Sequence, residues 1–280
     1  MEYQDVGGLK IPQVGLGLYS MRNEELTLSL KSAVESGYSL YDTAYRYNNE
    51  KEIGSFFSSS VVRNDTNIIC TKISGLQYNG HRHFLYLDKQ SIKKSVTNAA
   101  KKLKRKQIDI LLLHSPFAGY QQAYKELWLA QQEGLAKVIG VSGFSIEQLE
   151  SIKDNCKILP QVCMLEIHPY HSSSKIVDYC YKNGIQVIAR SPFAHGEIFE
   201  ELKHEDAMID IMTKTKKSVP QIILRWCVQH GWIAIPRSSN KNHIIENISI
   251  FDFALTDNDM RAIDSLNKNK SYGVFMVATS

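Results

Sequence analysis

The chain has 280 residues, 43 % of them hydrophobic and 22 % charged, with a formal net charge of +4. That balance excludes a low-complexity or collagen-like chain and suits one globular domain over residues 1–280. So small a positive excess asks for no nucleic acid, and a lysine-rich stretch such as KKSVTNAAKKLKRK reads as the solvated face of a helix. Eight short apolar runs then follow along the chain: VGLGLY (14–19), YSLYD (38–42), NIICTK (67–72), IDILLLH (108–114), KVIGVS (137–142), QVCMLEIH (161–168), IQVIAR (185–190) and WIAIPR (232–237). They are largely unbroken rather than alternating, as strands of a parallel sheet covered on both faces are.

Helical patterns fill the gaps. Asn23 is placed to cap NEELTLSLKSAVESG, which stops at Gly37, and Asp88 to cap a segment with Ile92, Val96, Ala100 and Leu103 on one stripe. Ser145, followed by Glu147, caps SIEQLESIKD; Ser218 before Pro220 opens SVPQIILRWCVQHG; Thr256 opens TDNDMRAIDSL. Eight strands alternating with helices within about 250 residues make a (β/α)8 TIM barrel. The rival, an open doubly wound sheet, lacks its GxGxxG after the first strand.

The five cysteines (Cys70, Cys156, Cys163, Cys180, Cys227) contain no CxxC pair. An odd count without pairing motifs argues against a disulfide framework or zinc site, and for a reducing, cytoplasmic setting. MEYQDVGGLK has no basic region followed by an apolar core, and no apolar run approaches ~18 residues, so neither signal peptide nor membrane span is expected.

Three of the runs end in charge or imidazole: Asp42, Lys72 and His114, with Tyr47 shortly after Asp42 in DTAYRYNNE. Residues at the carboxyl ends of barrel strands converge on one face, which would gather Asp42, Lys72, His114, Ser142, Glu166, His168, Arg190 and Arg237 around one mouth. A Tyr beside a Lys ammonium is a proton donor with a lowered pKa. Alone, Asp42 and Lys72 equally fit a structural ion pair, and a His after a strand fits a hydrogen-bonded loop residue.

At these residues the chain resembles the aldo-keto reductases, nearly end to end. DTAYRYNNEKEIG between Gly37 and Gly54, LLLHSP, IGVSGF, EIHPY, RSPF, IPRS and ENISIFDFALTDNDM match that family's motifs in order. The resemblance implies a (β/α)8 barrel preceded by a β-hairpin, here YQDVGGLKIP, with two extra helices near 203–216 and 240–249. It implies carbonyl reduction by NADPH, with Tyr47 as general acid, Lys72 lowering its pKa, Asp42 holding Lys72, and His114 positioning the carbonyl. Cofactor contacts would come from Ser142, Gly143, Met164, Arg190, Ser191, Arg237, Ser238, Asn240, Lys241, His243, Glu246 and Asn247. No metal is implied.

Several positions depart from the family pattern. Gly143 stands where it has Asn, Met164 where it has Gln, Arg190 where an aromatic ring stacks on the nicotinamide, and His243 where an Arg lies near the 2′-phosphate. Arg237 keeps the charge of the family's Lys, and with Lys241 it favours NADP(H). Arg190 would repel an oxidised nicotinamide, and a planar fork suits an anionic substrate group. A non-redox acid–base enzyme (isomerase or lyase) or a binding protein without turnover remain as alternatives. The partner expected is a small carbonyl compound, with no membrane involved. Tyr19, Tyr45 and Tyr78, with Phe117, Tyr272, Phe275 and Met276 at the rim, are pocket candidates; each also fits an aromatic packed under a loop. His81 and His83 in NGHRHF read as an exposed loop pair.

Overall fold

The computed structural model describes residues 1–59, 66–74, 76–78, 84–86 and 89–273. Asp88, His81, His83, Phe275 and Met276 lie outside the described residues, as does the side chain of Tyr78. A hairpin, β1 (Tyr3–Val6) and β2 (Leu9–Pro12), precedes β3 (Leu16–Gly17), β4 (Leu40–Asp42) and β5 (Ile68–Ile73). A second hairpin, β6 (Leu76–Tyr78) with β7 (Phe84–Tyr86), follows β5, and sequence reasoning gave no sign of it. Then come β8 (Ile108–Leu113), β9 (Ala136–Ser142), β10 (Val162–Glu166), β11 (Gln186–Arg190) and β12 (Ile233–Ile235).

The eight expected strands form one parallel sheet in the order β3-β4-β5-β8-β9-β10-β11-β12. It closes on itself: Gly15 N donates to Ala234 O at 2.9 Å, Ala234 N to Gln13 O at 2.8 Å, and Gly17 N to Pro236 O at 2.8 Å. This is the (β/α)8 barrel. The two extra helices are Asp206–Thr215 and Lys241–Ile248, inside the expected windows.

Strand alternation splits the core in two. Leu40, Ile68, Cys70, Ile110, Leu112, Val138, Val162, Met164, Ile188, Ile233 and Ile235 fill the barrel, and Val6 and Ile11 of the first hairpin join them. Tyr41, Ile69, Leu111, Leu113, Ile139, Val141, Cys163, Val187 and Ala189 face the helices. Gly140 is required at one close approach: a Cβ there would collide with Val162 O and stand 3.0 Å from Leu112 Cδ2.

Ser145, Ser218 and Thr256 each form a capping box, with Gln148, Gln221 and Asp259 respectively. Asn23 does not cap. It is the first residue of the helix Asn23–Glu35, at φ 51°, and its amide donates to Glu52 Oε2 at 2.7 Å. A carboxylate from the neighbouring helix thus serves this N-terminus, where negative charge is favoured.

Candidate active site

Leu40, Cys70, Leu112, Met164 and Ile188 face the barrel interior. Two residues further along each chain stand Asp42, Lys72, His114, Glu166 and Arg190, which the strand period turns into the mouth. Ser142 joins them, paired in register with Met164.

Lys72 Nζ lies 2.7 Å from both carboxylate oxygens of Asp42 and 2.8 Å from Thr43 O, all buried. Burial alone would strip a proton from Lys72; Asp42, then Tyr47 and Cys70, more than offset it and hold the ammonium above its usual range. Tyr47 ends a 3-10 turn, Tyr45–Tyr47, closed by Asn48 at φ 55°. Asn49 anchors that turn: Nδ2 donates to Leu18 O at 2.9 Å and Met21 O at 3.1 Å, while Thr43 Oγ1 donates to Asn49 Oδ1 at 2.6 Å. The Tyr47 ring centre lies 5.1 Å from Lys72 Nζ, and the His114 and Tyr19 rings meet it edge-on at 5.8 and 5.0 Å.

The expected lowering of the Tyr47 pKa is outweighed. Burial is the largest influence and raises it; Lys72 pulls it back without cancelling burial, and Asp42 adds to the rise. Tyr47 therefore keeps its proton at neutral pH. Burial, then the positive charges of Lys72, Arg46 and Arg190, lower the His114 pKa to about 2, so its imidazole is neutral.

Glu166 is the buried acid that sequence reasoning set at the mouth without a role. Ser271 Oγ donates to its Oε2 at 2.7 Å, and the amides of Tyr272 and Gly273 donate to its Oε1 at 2.7 and 3.0 Å. Burial opposes its charge, but the bonds from His168, Ser271 and Tyr272 and the charge of Arg190 bring its pKa down to about 2. His168 does not line the mouth: it is fully buried, its Nε2 3.2 Å from Glu166 Oε1. Arg190 Nη2 stands 3.9 Å from Glu166 Oε2. This docking of the C-terminal segment had no sequence signal, because two of its donors are backbone amides, indifferent to residue type.

Of the pocket candidates, Tyr19 is 53 % exposed at the rim against Tyr47, and Tyr272 sits edge-on to His168 at 5.5 Å. Tyr45 turns away from the mouth and lies under Lys102 Nζ, 4.7 Å from its ring centre. That lysine belongs to the helix Lys89–Leu103 and pairs with Glu50, which also accepts from the outward-facing Thr71. Phe117 packs against the outer, helix-facing core.

The residues expected around a dinucleotide divide in two. At one end Ser142 is buried, Gly143 has φ 70° with its amide on Met164 O at 2.9 Å, and Met164 is part of the inner core. Ser191, at φ 52°, follows Arg190. At the other end Ser238 Oγ accepts from Asn240 N at 3.2 Å, and Asn240 Oδ1 accepts from the amides of Asn242 and His243 at 2.8 and 3.3 Å. The helix start is thus capped by its own side chain rather than bare. Arg237 Nε donates to Tyr19 O at 2.8 Å and Nη2 to Glu25 Oε1 at 3.2 Å, and Lys241 Nζ is 3.6 Å from Glu35. His243 is exposed and Glu246 half-buried. Asn247 Nδ2 is buried without a hydrogen-bond partner among the described residues. Such an orphaned donor fits a bound group that brings an acceptor. Among the described residues no group of three or more His, Cys, Asp or Glu is placed to hold a metal, and no helix is long and apolar enough to cross a membrane.

The family model for the aldo/keto reductase family matches residues 12–268. The chain is 34 % identical to the glyoxal reductase of Bacillus subtilis (strain 168) over 271 residues, covering 95 % of this chain and 92 % of that one. It superposes with a TM-score of 0.86 on MGS-M4, an aldo-keto reductase from a Medee basin deep-sea metagenome library, at 30 % identity and 96 % coverage of both chains. A Bombyx mori aldo-keto reductase solved in complex with NADP matches with a TM-score of 0.84 at 27 % identity, covering 98 % of this chain and 96 % of that one. A closed parallel barrel, a buried acid–base cluster at its carboxyl end and a match over nearly the whole length lead to one conclusion: this chain belongs to the aldo/keto reductase family and is an NAD(P)H-dependent oxidoreductase.

Proposed function

We propose that this chain reduces an aldehyde or ketone to an alcohol with NADPH, using Tyr47 as the general acid. The observation that carries the reading is the protonated, half-buried Tyr47 set between the charged Lys72 and the neutral His114. When bound, reduced nicotinamide supplies the hydride, which no side chain can. Tyr47 gives its proton to the carbonyl oxygen as negative charge builds there. Lys72, kept charged by Asp42, stabilises the tyrosinate left behind, and His114 donates a hydrogen bond that orients the oxygen.

Ser142 would hold the carboxamide end, with Gly143 and Met164 adding no polar side chain there. Ser191 would follow that edge. Arg237, Ser238, Asn240 and Lys241, with His243 beside them, would hold the phosphate of the adenosine end, and Glu246 and Asn247 its base. Two arms test the reading. Titration of the protein with NADPH, followed by cofactor fluorescence, should saturate, and consumption of NADPH should require a carbonyl compound such as glyoxal. Absence of NADPH binding would return the non-redox reading of the same acid–base cluster.

A further inference from the structure

Asn49 stands just before the helix Glu50–Phe57, where an asparagine ordinarily accepts a hydrogen bond from an amide of the first turn. Its side chain makes no such bond. It is fully buried and turns its polar atoms toward the active-site mouth instead. Nδ2 donates to Leu18 O at 2.9 Å and Met21 O at 3.1 Å, and Oδ1 accepts from Thr43 Oγ1 at 2.6 Å. Two carbonyl oxygens can face only the amino side of an amide, so these partners fix its orientation. Leucine, of similar shape, would strand all three partners, and aspartate would set a negative charge against two carbonyl oxygens.

The partners belong to different parts of the site. The turn 18–21, with Ser20 at φ 61°, carries Tyr19, whose ring meets Tyr47 edge-on at 5.0 Å and whose carbonyl accepts from Arg237. Thr43 accepts from Lys72 Nζ at 2.8 Å through its carbonyl, and its amide donates to Cys70 O at 2.8 Å. Glu50, next in the chain, is also buried and accepts from Thr71 Oγ1 at 2.8 Å. Thr71 directly precedes Lys72 on β5, so the chain just after Tyr47 is fastened beside Lys72 on two sides. The 3-10 turn Tyr45–Tyr47 has little of its own to hold it. It has no side-chain cap, and its bonds are Tyr47 N to Ala44 O at 3.0 Å and Asn48 N to Tyr45 O at 3.2 Å. Hydrogen bonds of such turns are poorly aligned, and a left-handed residue such as Asn48 at φ 55° persists where its surroundings impose it.

We propose that Asn49 is a positioning residue for proton transfer: it holds Tyr47 against Lys72 by tying the chain after Tyr47 to Thr43 and to the turn that carries Tyr19. This rests on the reductase reading above. Displacing a reacting group by about 1 Å can cost about 10²-fold in rate, which sets the size of the expected effect.

Asn49→Ala should lower kcat on glyoxal by about 10–100-fold and leave the KM for glyoxal and the dissociation constant of NADPH little changed. In the Tyr47→Phe background the same substitution should lower kcat by less than about 3-fold, because the group that Asn49 places is already gone. Equal losses in the two backgrounds would mean general damage to the site and overturn the proposal, as would an unchanged kcat in Asn49→Ala. Asn49→Asp separates placement from helix capping, since aspartate caps a helix start as well as asparagine does. It should lose activity as Asn49→Ala does, and full activity in it overturns the proposal. Thr43→Val keeps the shape and removes one of the three bonds. Its smaller loss of kcat should depend on Tyr47 in the same way, and it decides the question if Asn49→Ala does not fold. A second arm needs no turnover. In NMR spectra of protein with isotope-labelled tyrosine rings, the resonances that vanish in Tyr47→Phe and Tyr19→Phe should both shift in Asn49→Ala. Those of Tyr124 and Tyr170, fully buried elsewhere, should stay in place. Movement of all four, or of none, overturns the proposal. If the unmutated protein reduces no carbonyl compound, the reductase reading fails and the ring resonances still decide whether Asn49 places Tyr47.

Discussion

Lys72 Nζ stands 2.7 Å from both carboxylate oxygens of Asp42, with 2 % and 7 % of the two side chains exposed. The pair joins the ends of neighbouring strands β4 and β5, so it serves the fold and the site together. Removing one partner strands the other in the barrel. Lys72→Met should therefore cost about 3–5 kcal/mol of stability, the scale for an uncompensated buried charge. Asp42→Leu in the same chain should recover much of that loss while activity stays absent. Urea unfolding of the single and double variants measures the first effect, and NADPH oxidation the second. Full stability in Lys72→Met would show that Asp42 finds water or protonates at no cost.

Tyr47→Phe removes the proton and keeps the ring that packs on Tyr19 and His114. Turnover should fall by about 10²–10⁴-fold, the usual reach of general acid catalysis, with the thermal midpoint little changed. Because burial raises the Tyr47 pKa, the acid form is fully populated at neutral pH. Reduction should then show no loss attributable to Tyr47 below the alkaline range. Near-normal turnover in Tyr47→Phe on the true substrate would remove Tyr47 from the proton path.

Much of the fold was legible because barrel strands are covered on both faces, which leaves unbroken apolar runs. All eight runs became strands, and the helix starts at Ser145, Ser218 and Thr256 were readable, though not their box partners Gln148, Gln221 and Asp259. The four polar residues Asp42, Tyr47, Lys72 and His114 were legible for the related reason that an apolar run should not end in a buried charge without cause. What escaped depends on contacts distant in sequence. Glu52 displaced Asn23 as the helix-start acceptor, and Tyr45 lies under Lys102, which pairs with Glu50 from a helix more than fifty residues away. The docking of Tyr272 and Gly273 on Glu166 spans more than a hundred residues through backbone amides. The sign of the Tyr47 shift escaped because depth of burial is not written in a Tyr–Lys pairing.

Arg237 and Lys241 bear on the choice between cofactors. Both now answer to acids, Glu25 and Glu35, so a 2′-phosphate would exchange one anion for another rather than meet bare charge. Arg237→Ala should weaken NADPH by roughly 1.5–3 kcal/mol and leave NADH nearly unchanged. Glu25→Gln should act in the opposite direction by releasing Arg237. Dissociation constants for both cofactors, from fluorescence titration, check this. An equal loss for NADPH and NADH in Arg237→Ala would mean that the side chain serves the rim through Tyr19 O and not a phosphate.

His114 should titrate far below neutrality. Its folded pKa of about 2 lies under the unperturbed ~6.5, so the unfolded chain binds a proton first as pH falls. The sign follows: stability tied to His114 is intact above about pH 6.5 and declines as pH drops below it. His114→Gln should flatten that decline between pH 6.5 and 4. The kcat/KM profile of the unmutated protein should show no inflection from His114 between pH 5 and 8. An imidazole resonance that titrates near pH 6.5 in the folded protein would contradict a neutral, buried His114.

Glu166 makes the last test one of linkage. With its donors in place its pKa lies at about 2, below the unperturbed ~4.3 of a free Glu. A depressed acid contributes stability that is fully present above the unfolded value and is lost as pH falls toward the folded one. Here that is on the order of 3 kcal/mol at neutral pH, disappearing between about pH 4.5 and 2. Ending the chain after Lys270 removes Ser271, Tyr272 and Gly273 and so three of the donors. The shortened protein should be less stable than the full chain at pH 7, and the gap should narrow as pH falls below about 4.5. Glu166→Gln should bring the two chain lengths close together at every pH, because the charge that the tail serves is gone. Urea midpoints at pH 7 and pH 3.5 for the four proteins decide it. A gap that stays constant with pH would mean that the tail stabilises the barrel by packing, through Tyr272 on His168, and not through the carboxylate.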